Sequence, residues 1–311
     1  MKNSMNRINR FFGQHTFLAA IVMTTIMLGT RALVSAMMRQ LPAVQNDTEV
    51  HTVAVVIVYY VIPLAFAIAF GYGWIFGKGK FFKTMGIGSV MVMFAMFQFT
   101  MCLGRLFAND PDIAFVDESK AIGGLIKIIG IGFFEEVVFR GIVANKLGRK
   151  YGHDAKGVWL AAVLSSVLFG LVHMQNIFYG AHFIPTLVQS VVAAATGLML
   201  VAIYYRGGSI YAMILIHAMI DIGPLFASTF TTQDTVIADA INELQIQGMF
   251  LAIPMVILAV WLMRKSRMPE IIENIQKEYP RVSEYKHHKT TLRQRIEKLR
   301  SGNNKGLLLQ V

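Results

Sequence analysis

Eight stretches of mostly apolar residues recur along this chain, at 16–38, 50–76, 84–107, 121–146, 158–176, 183–205, 209–228 and 246–263. Each is close to the roughly 20 residues a helix needs to cross the hydrocarbon core of a bilayer. With 55% hydrophobic residues, 15% charged residues and a mean hydropathy of +0.53, the composition is far from that of an ordinary soluble domain. The expected fold is all-α: a polytopic membrane helical bundle of about eight transmembrane helices forming one domain over residues 1–263. Hydrophobicity collapses at Arg264, and Pro269 and Pro280 punctuate the residues beyond it. Residues 264–311 are therefore expected to form a basic cytoplasmic tail.

Charge distribution orients the helices. Cytoplasmic loops are enriched in Lys and Arg. An inside N-terminus puts 23 of the 29 basic residues in cytoplasmic segments, twelve of them in 264–311. The opposite loops are acidic, carrying Asp47 and Glu49, then Asp110, Asp112, Asp117 and Glu118, then Asp234, Asp239 and Glu243, against only Arg39 and Lys120. Eight crossings with both termini in the cytoplasm satisfy the rule at every loop, as expected of a multi-pass cell-membrane protein.

The net charge of +11 does not point to nucleic acid, because the basic residues flank apolar stretches instead of lining one aromatic-rich face. Anionic lipid is the expected partner of the tail, at about 1 kcal/mol per basic residue near a surface. A short amphipathic helix is expected at 289–300, with Leu292, Ile296 and Leu299 on one face. The single cysteine, Cys102, excludes an intrachain disulfide and a cysteine-based metal motif. The first apolar run exceeds the usual signal-peptide core and reads as a retained helix. No repeat of fixed period and no low-complexity tract is evident.

Three of the apolar stretches carry ionisable side chains at helical spacing: Glu135-Glu136-x-x-x-Arg140, Phe169-x-x-x-His173 and His217-x-x-x-Asp221. Charged groups at bilayer depth are costly and mark functional sites. Positions four apart share a helix face, so Glu136 can neutralise Arg140, while Glu135, about 100° away, points elsewhere without a partner on its own helix. A buried unpaired glutamate is suited to act as a general base. The competing reading is a packing network in which both acids satisfy Arg140. A lone histidine such as His173 is more often a satisfied core residue, whereas His217 and Asp221 form a pair in which the carboxylate can orient the imidazole. At about 1.5 Å per residue, all three motifs can meet near the midplane. Such a group suits activation of water against an acyl group, with one glutamate as base and the other pair stabilising the oxyanion. Glu135, His173 and His217 also form a candidate zinc set, although the His-Glu-x-x-His signature is missing. Arg31, Arg105 and Lys127 lie toward the outer boundaries, where long side chains snorkel.

Glu135-Glu136-Val137-Val138-Phe139-Arg140-Gly141, Phe169-Gly170-Leu171-Val172-His173, and Gly208-Ser209-Ile210-Tyr211 leading to His217-Ala218-Met219-Ile220-Asp221 resemble the three motifs of the CPBP intramembrane proteases. That family includes the type II CAAX prenyl endopeptidases and bacteriocin-processing and immunity-type proteins. The similarity covers residues 120–228. The resemblance implies that Glu135 activates the attacking water with help from His173, that His217 and Asp221 form the oxyanion site, and that Glu136, Arg140 and Phe169 support them. The family has been described both as metal-dependent and as metal-independent glutamate proteases, and the latter fits these residues better. Many members carry Asn where this chain has Asp221. An amide donates a hydrogen bond to an oxyanion and an ionised carboxylate does not, so Asp221 is either protonated or serves to orient His217.

The expected activity is hydrolysis of peptide bonds in small membrane-associated, lipidated or leader peptides. Two other classes compete: a non-catalytic interaction or immunity protein that binds another membrane protein, and a proton-coupled transporter.

Overall fold

The computed structural model describes residues 13–77, 79–110, 112–233 and 237–277. The amphipathic segment expected at 289–300 lies outside the described residues. Among them the secondary structure is helical, with one isolated antiparallel bridge between Phe115 and Thr231.

Among the described residues nine principal helices carry the fold. They are α1 (Thr16–Arg39), α2 (Thr48–Ala69), α3 (Ser89–Asn109), α4 (residues 118–151), α5 (Ala155–Tyr179), α6 (Phe183–Gly207), α7 (Ile210–Ile222), α8 (Ile246–Leu262) and α9 (Met268–Lys277). Short polar side chains start several of them by accepting bonds from free first-turn amides. Asp47 accepts from Glu49 and Val50 N–H, Asp117 from Lys120 N–H and Asp154 from Gly157 N–H. At Asp117 that amide is the leading influence holding an exposed carboxyl below its usual range. Gly208 ends α6 with φ of +79°, a conformation glycine adopts without steric cost, and its N–H returns to Tyr204 O at 2.8 Å. The chain thereby turns at once into α7.

α6 is the central post, with α5 packed on one side and α8 on another, while α4 packs against α2 and α7. Contacts between apolar helices in lipid rely on close backbone approach at small residues. A Cβ on Gly170 would lie 2.5 Å from Ser190 O, and one on Gly197 would lie 2.9 Å from Phe169 Cδ1. A Cβ on Gly132 of α4 would meet Ile214 O of α7 at 3.0 Å. These glycines bring α5 against α6 and α4 against α7.

The eight expected spans meet a stricter outcome. Among the described residues five helices are long and apolar enough to cross a membrane, or six if the pair bent by 52° at residues 262–265 is one span. The remaining two expected spans are α4 and α7, which carry two of the three polar motifs. α4 bears Glu118, Lys120, Lys127, Glu135, Glu136 and Arg140. α7 has only 13 residues, about 20 Å of helix, because Gly223 and Pro224 interrupt the apolar run at 209–228. Both are largely enclosed by other helices around the motifs, with Ile122 and Leu125 on α4 and Tyr211 and Leu215 on α7 still exposed.

The drop in hydrophobicity at Arg264 coincides with that bend and not with a loss of packing. Met268, Ile271 and Ile275 on one face of α9 are buried in the main core. Arg31 is also not simply directed outward: its guanidinium lies 5.1 Å from the Phe134 ring and 5.7 Å from the Tyr59 ring.

Candidate active site

α4 is one continuous helix in three parts: α-helical over Glu118–Glu136, π-helical over Val137–Ala144, and α-helical again over Asn145–Tyr151. Glu135 and Glu136 close the first part, and Arg140 sits in the middle of the wide-turned second part. Such wide segments are rare and concentrate at functional sites.

Glu136 and Arg140 have no exposed side-chain surface and form an ion pair, Oε1 to Nη1, at 2.8 Å. The same Oε1 accepts from His217 Nδ1 at 2.6 Å. His217 is buried on α7, and its Nε2 faces two further carboxylates: Glu135 Oε2 at 3.4 Å and Asp221 Oδ2 at 3.7 Å. Glu135 and Asp221 keep 21% and 22% of their side-chain surface exposed, so the network has a closed end at Arg140 and an accessible end at this pair. The Arg140 guanidinium lies 4.4 Å from the Phe169 ring and donates to Gly197 O at 3.5 Å. Both partners suit a cation withdrawn from water.

His173 enters differently. It stands where α5 tightens into a 3-10 turn, and its Nδ1 donates to Phe169 O at 2.8 Å. A carbonyl only accepts, so this bond places a proton on Nδ1 and leaves Nε2 as the ring nitrogen free to meet water. No ion pair joins His173 to Glu135, Glu136 or Asp221 among the described residues. Its link to the other histidine runs through Phe169, whose ring centroid is 5.0 Å from His173 and 6.0 Å from His217.

The structure thus gathers Glu135, Glu136, Arg140, His217 and Asp221, with Phe169 and His173 beside them. The i,i+4 spacing sets Asp221 beside His217, but the carboxylate that orients the imidazole through Nδ1 is that of Glu136. Among the described residues no group of three His, Cys, Asp or Glu side chains has the arrangement to hold a metal ion. Glu135, His173 and His217 therefore do not fit a zinc set as they stand. An open cleft of about 700 Å³, lined by Glu49, Asp117, Glu118 and Gly123 among others, lies at the N-terminal end of α4. Glu118 is 17 residues from Glu135, about 25 Å along the helix, so that cleft is separate from the site.

Sequence reasoning missed the side chains that hold the π-helical segment. Asn145 Nδ2 donates to Arg140 O at 3.1 Å and Gly141 O at 2.8 Å, Ser165 Oγ to Phe139 O at 3.4 Å, and Tyr205 OH to Ala144 O at 2.9 Å. All three residues are buried. Their one sequence signal is polarity within apolar runs.

The described residues form an all-helical fold, with helices apolar enough for a membrane, around a buried carboxylate–imidazole–guanidinium network. Residues 117–223 match the family described as Type II CAAX prenyl endopeptidase Rce1-like. That segment, about a third of the chain, contains all three motifs and is similar to this family. No curated protein and no solved structure matches the chain.

Proposed function

We propose that this protein is a multi-pass intramembrane endopeptidase of the cell membrane, with cytoplasmic termini, that hydrolyses peptide bonds of small membrane-associated or lipidated substrates. The observation that carries the reading is the 3.4 Å approach of Glu135 Oε2 to His217 Nε2 at the accessible end of an otherwise buried network. A packing network needs only the Glu136–Arg140 pair. Glu135 is surplus to it and partly exposed, which suits a general base.

In this mechanism Glu135 takes a proton from water, and the hydroxide adds to the scissile carbonyl carbon. His173 Nε2 assists by accepting a hydrogen bond from the same water. The carbonyl oxygen becomes an oxyanion and is met by donors on His217 Nε2 and Asp221. As the C–N bond breaks, Glu135 passes its proton to the leaving amine. Arg140 and a protonated His217 balance the charges of Glu135 and Glu136. A neutral Asp221 then leaves the group without net charge, the arrangement a low-dielectric interior favours, and gives Asp221 the donor that an Asn would otherwise supply. Glu136 fixes the ring by holding Nδ1–H.

Hydrolysis in ¹⁸O-labelled water of a membrane-anchored peptide by the purified protein tests the reaction type. One labelled oxygen in the newly formed carboxyl group is the expected product. Intact peptide after prolonged incubation across a broad anchored library contradicts the reading.

A further inference from the structure

The eight residues Val137–Ala144 follow Glu135 and Glu136 directly. In an α-helix each carbonyl accepts from the amide four residues ahead. A π-helical turn takes in one residue more, so it changes these partners and resets the faces that the flanking parts present to one another, each residue being about 100° of rotation. Single wide turns are the usual limit, so a segment of this length calls for support from outside its own backbone.

That support comes from three directions. Ser165 reaches from α5 and Asn145 from α4 itself, while Tyr205 reaches from α6 to the last carbonyl of the segment, Ala144 O, at 2.9 Å. The Tyr205 position is itself secured by α9. Asn274 Nδ2 donates to Tyr205 O and Arg206 O, both at 3.1 Å, and Glu270 pairs with Lys83 at 3.0 Å and Arg206 at 3.6 Å. A Cβ on Gly148 would lie 3.2 Å from Tyr205 OH and 3.4 Å from Ile275 Cγ2. Glycine at that point lets the phenol and α9 close on α4 together. A continuous set of contacts therefore runs from α9, through Tyr205, to the segment that carries Arg140.

We infer that Tyr205, secured by Asn274 of α9, is a positioning residue for the Glu135–His217 site. Its phenol holds the C-terminal turn of the wide segment in place. Without that bond the segment relaxes toward α-helical spacing, and Glu135 and Glu136 rotate relative to His217. The activity arm of the test rests on the hydrolytic reading; the structural arm does not.

The test compares Tyr205→Phe and Asn274→Leu with Tyr60→Phe in the full-length purified protein. Tyr60 OH makes the same kind of bond, to Ile126 O at 2.7 Å, on the regular part of the same helix, and is the matched control. Amide hydrogen exchange is read by mass spectrometry, and kcat and KM are measured on an anchored peptide. Tyr205→Phe and Asn274→Leu are expected to speed exchange across 137–151 by about fivefold, the factor that losing one ordinary hydrogen bond allows. Tyr205→Phe is further expected to lower kcat with KM unchanged, while Tyr60→Phe alters neither. Exchange across 137–151 unaltered in both test variants overturns the inference, as does a fall in kcat equally large in Tyr60→Phe. Should the wild-type protein turn over no peptide, the hydrolytic reading fails, and the exchange result still decides the role of Tyr205.

Discussion

Glu136 Oε1 lies 2.6 Å from His217 Nδ1 and 2.8 Å from Arg140 Nη1, so one buried carboxylate oxygen joins an imidazole on α7 to a guanidinium on α4. The sharing couples two functions that the sequence pattern suggests are separate: neutralising Arg140 and orienting His217. It also explains two adjacent acids in one apolar stretch, because Glu136 is occupied on both counts and Glu135 is left facing the accessible end.

Removing one member of that buried pair strands the other. Arg140→Met is expected to destabilise the protein by about 3–5 kcal/mol, and Glu136→Leu similarly. The double variant is expected to cost less than the sum of the two, since no lone charge remains. Unfolding in mixed micelles, analysed as a double-mutant cycle, reads the coupling. Additive losses would show that the pair does not act as a unit.

Asp221 is assigned a donor role in its neutral form. Asp221→Asn is therefore expected to retain most of the activity, because the amide supplies a hydrogen bond from nearly the same position. Asp221→Leu is expected to lose about 10²–10³ in kcat, as removal of one oxyanion donor does. Inactivity of the Asn variant, in a protein that remains folded, would mean that the negative charge of Asp221 is what matters.

Gly132 sets the approach of α4 to α7 beside the site. Gly132→Ala places a methyl group 3.0 Å from Ile214 O and 3.4 Å from His217 Cβ. Overpacking of this kind costs about 1–3 kcal/mol, and here the shift falls directly on His217, so activity is expected to fall with stability. Gly104→Ala in α3 is the control. Nothing lies within 4 Å of its added Cβ, and a helix-interior Gly→Ala change leaves stability equal or raises it by up to about 1 kcal/mol. Comparable losses in both variants would contradict a specific role for the close α4–α7 contact at Gly132.

Much of the architecture is legible in the sequence, because apolar length is a direct consequence of a lipid solvent. α1, α2, α3, α5 and α6 follow from it, and the helical spacing of Glu136 with Arg140 and of His217 with Asp221 places each pair on one face. The misleading places are those where tertiary packing overrides local pattern. Residues 209–228 look like a full span, yet the helix stops at Ile222 because Gly223 and Pro224 follow. The wide turns at Val137–Ala144 leave no mark in the composition of that segment, since they depend on Ser165 and Tyr205 of other helices. The orientation of His217 by Glu136 joins residues 81 apart in the chain, a contact that spacing alone does not reveal. The amphipathic face of α9 lies beyond the last long apolar run, among charged residues, and so passes for part of a solvated tail. Its Met268, Ile271 and Ile275 are nevertheless buried in the core.

Glu135 as the base that activates water is the central claim, and the most direct measurement of it is endopeptidase activity of purified protein on a membrane-anchored peptide library. Wild type, Glu135→Gln and His173→Ala are compared, each with and without chelator. Glu135→Gln is nearly isosteric and changes a partly exposed side chain, so it is expected to stay folded while losing at least about 10²-fold in rate. His173→Ala is expected to lose activity as well, and chelation to leave the wild-type rate unchanged. Cleavage at the wild-type rate by folded Glu135→Gln would contradict the central claim, and abolition of wild-type cleavage by chelator would contradict the metal-free mechanism.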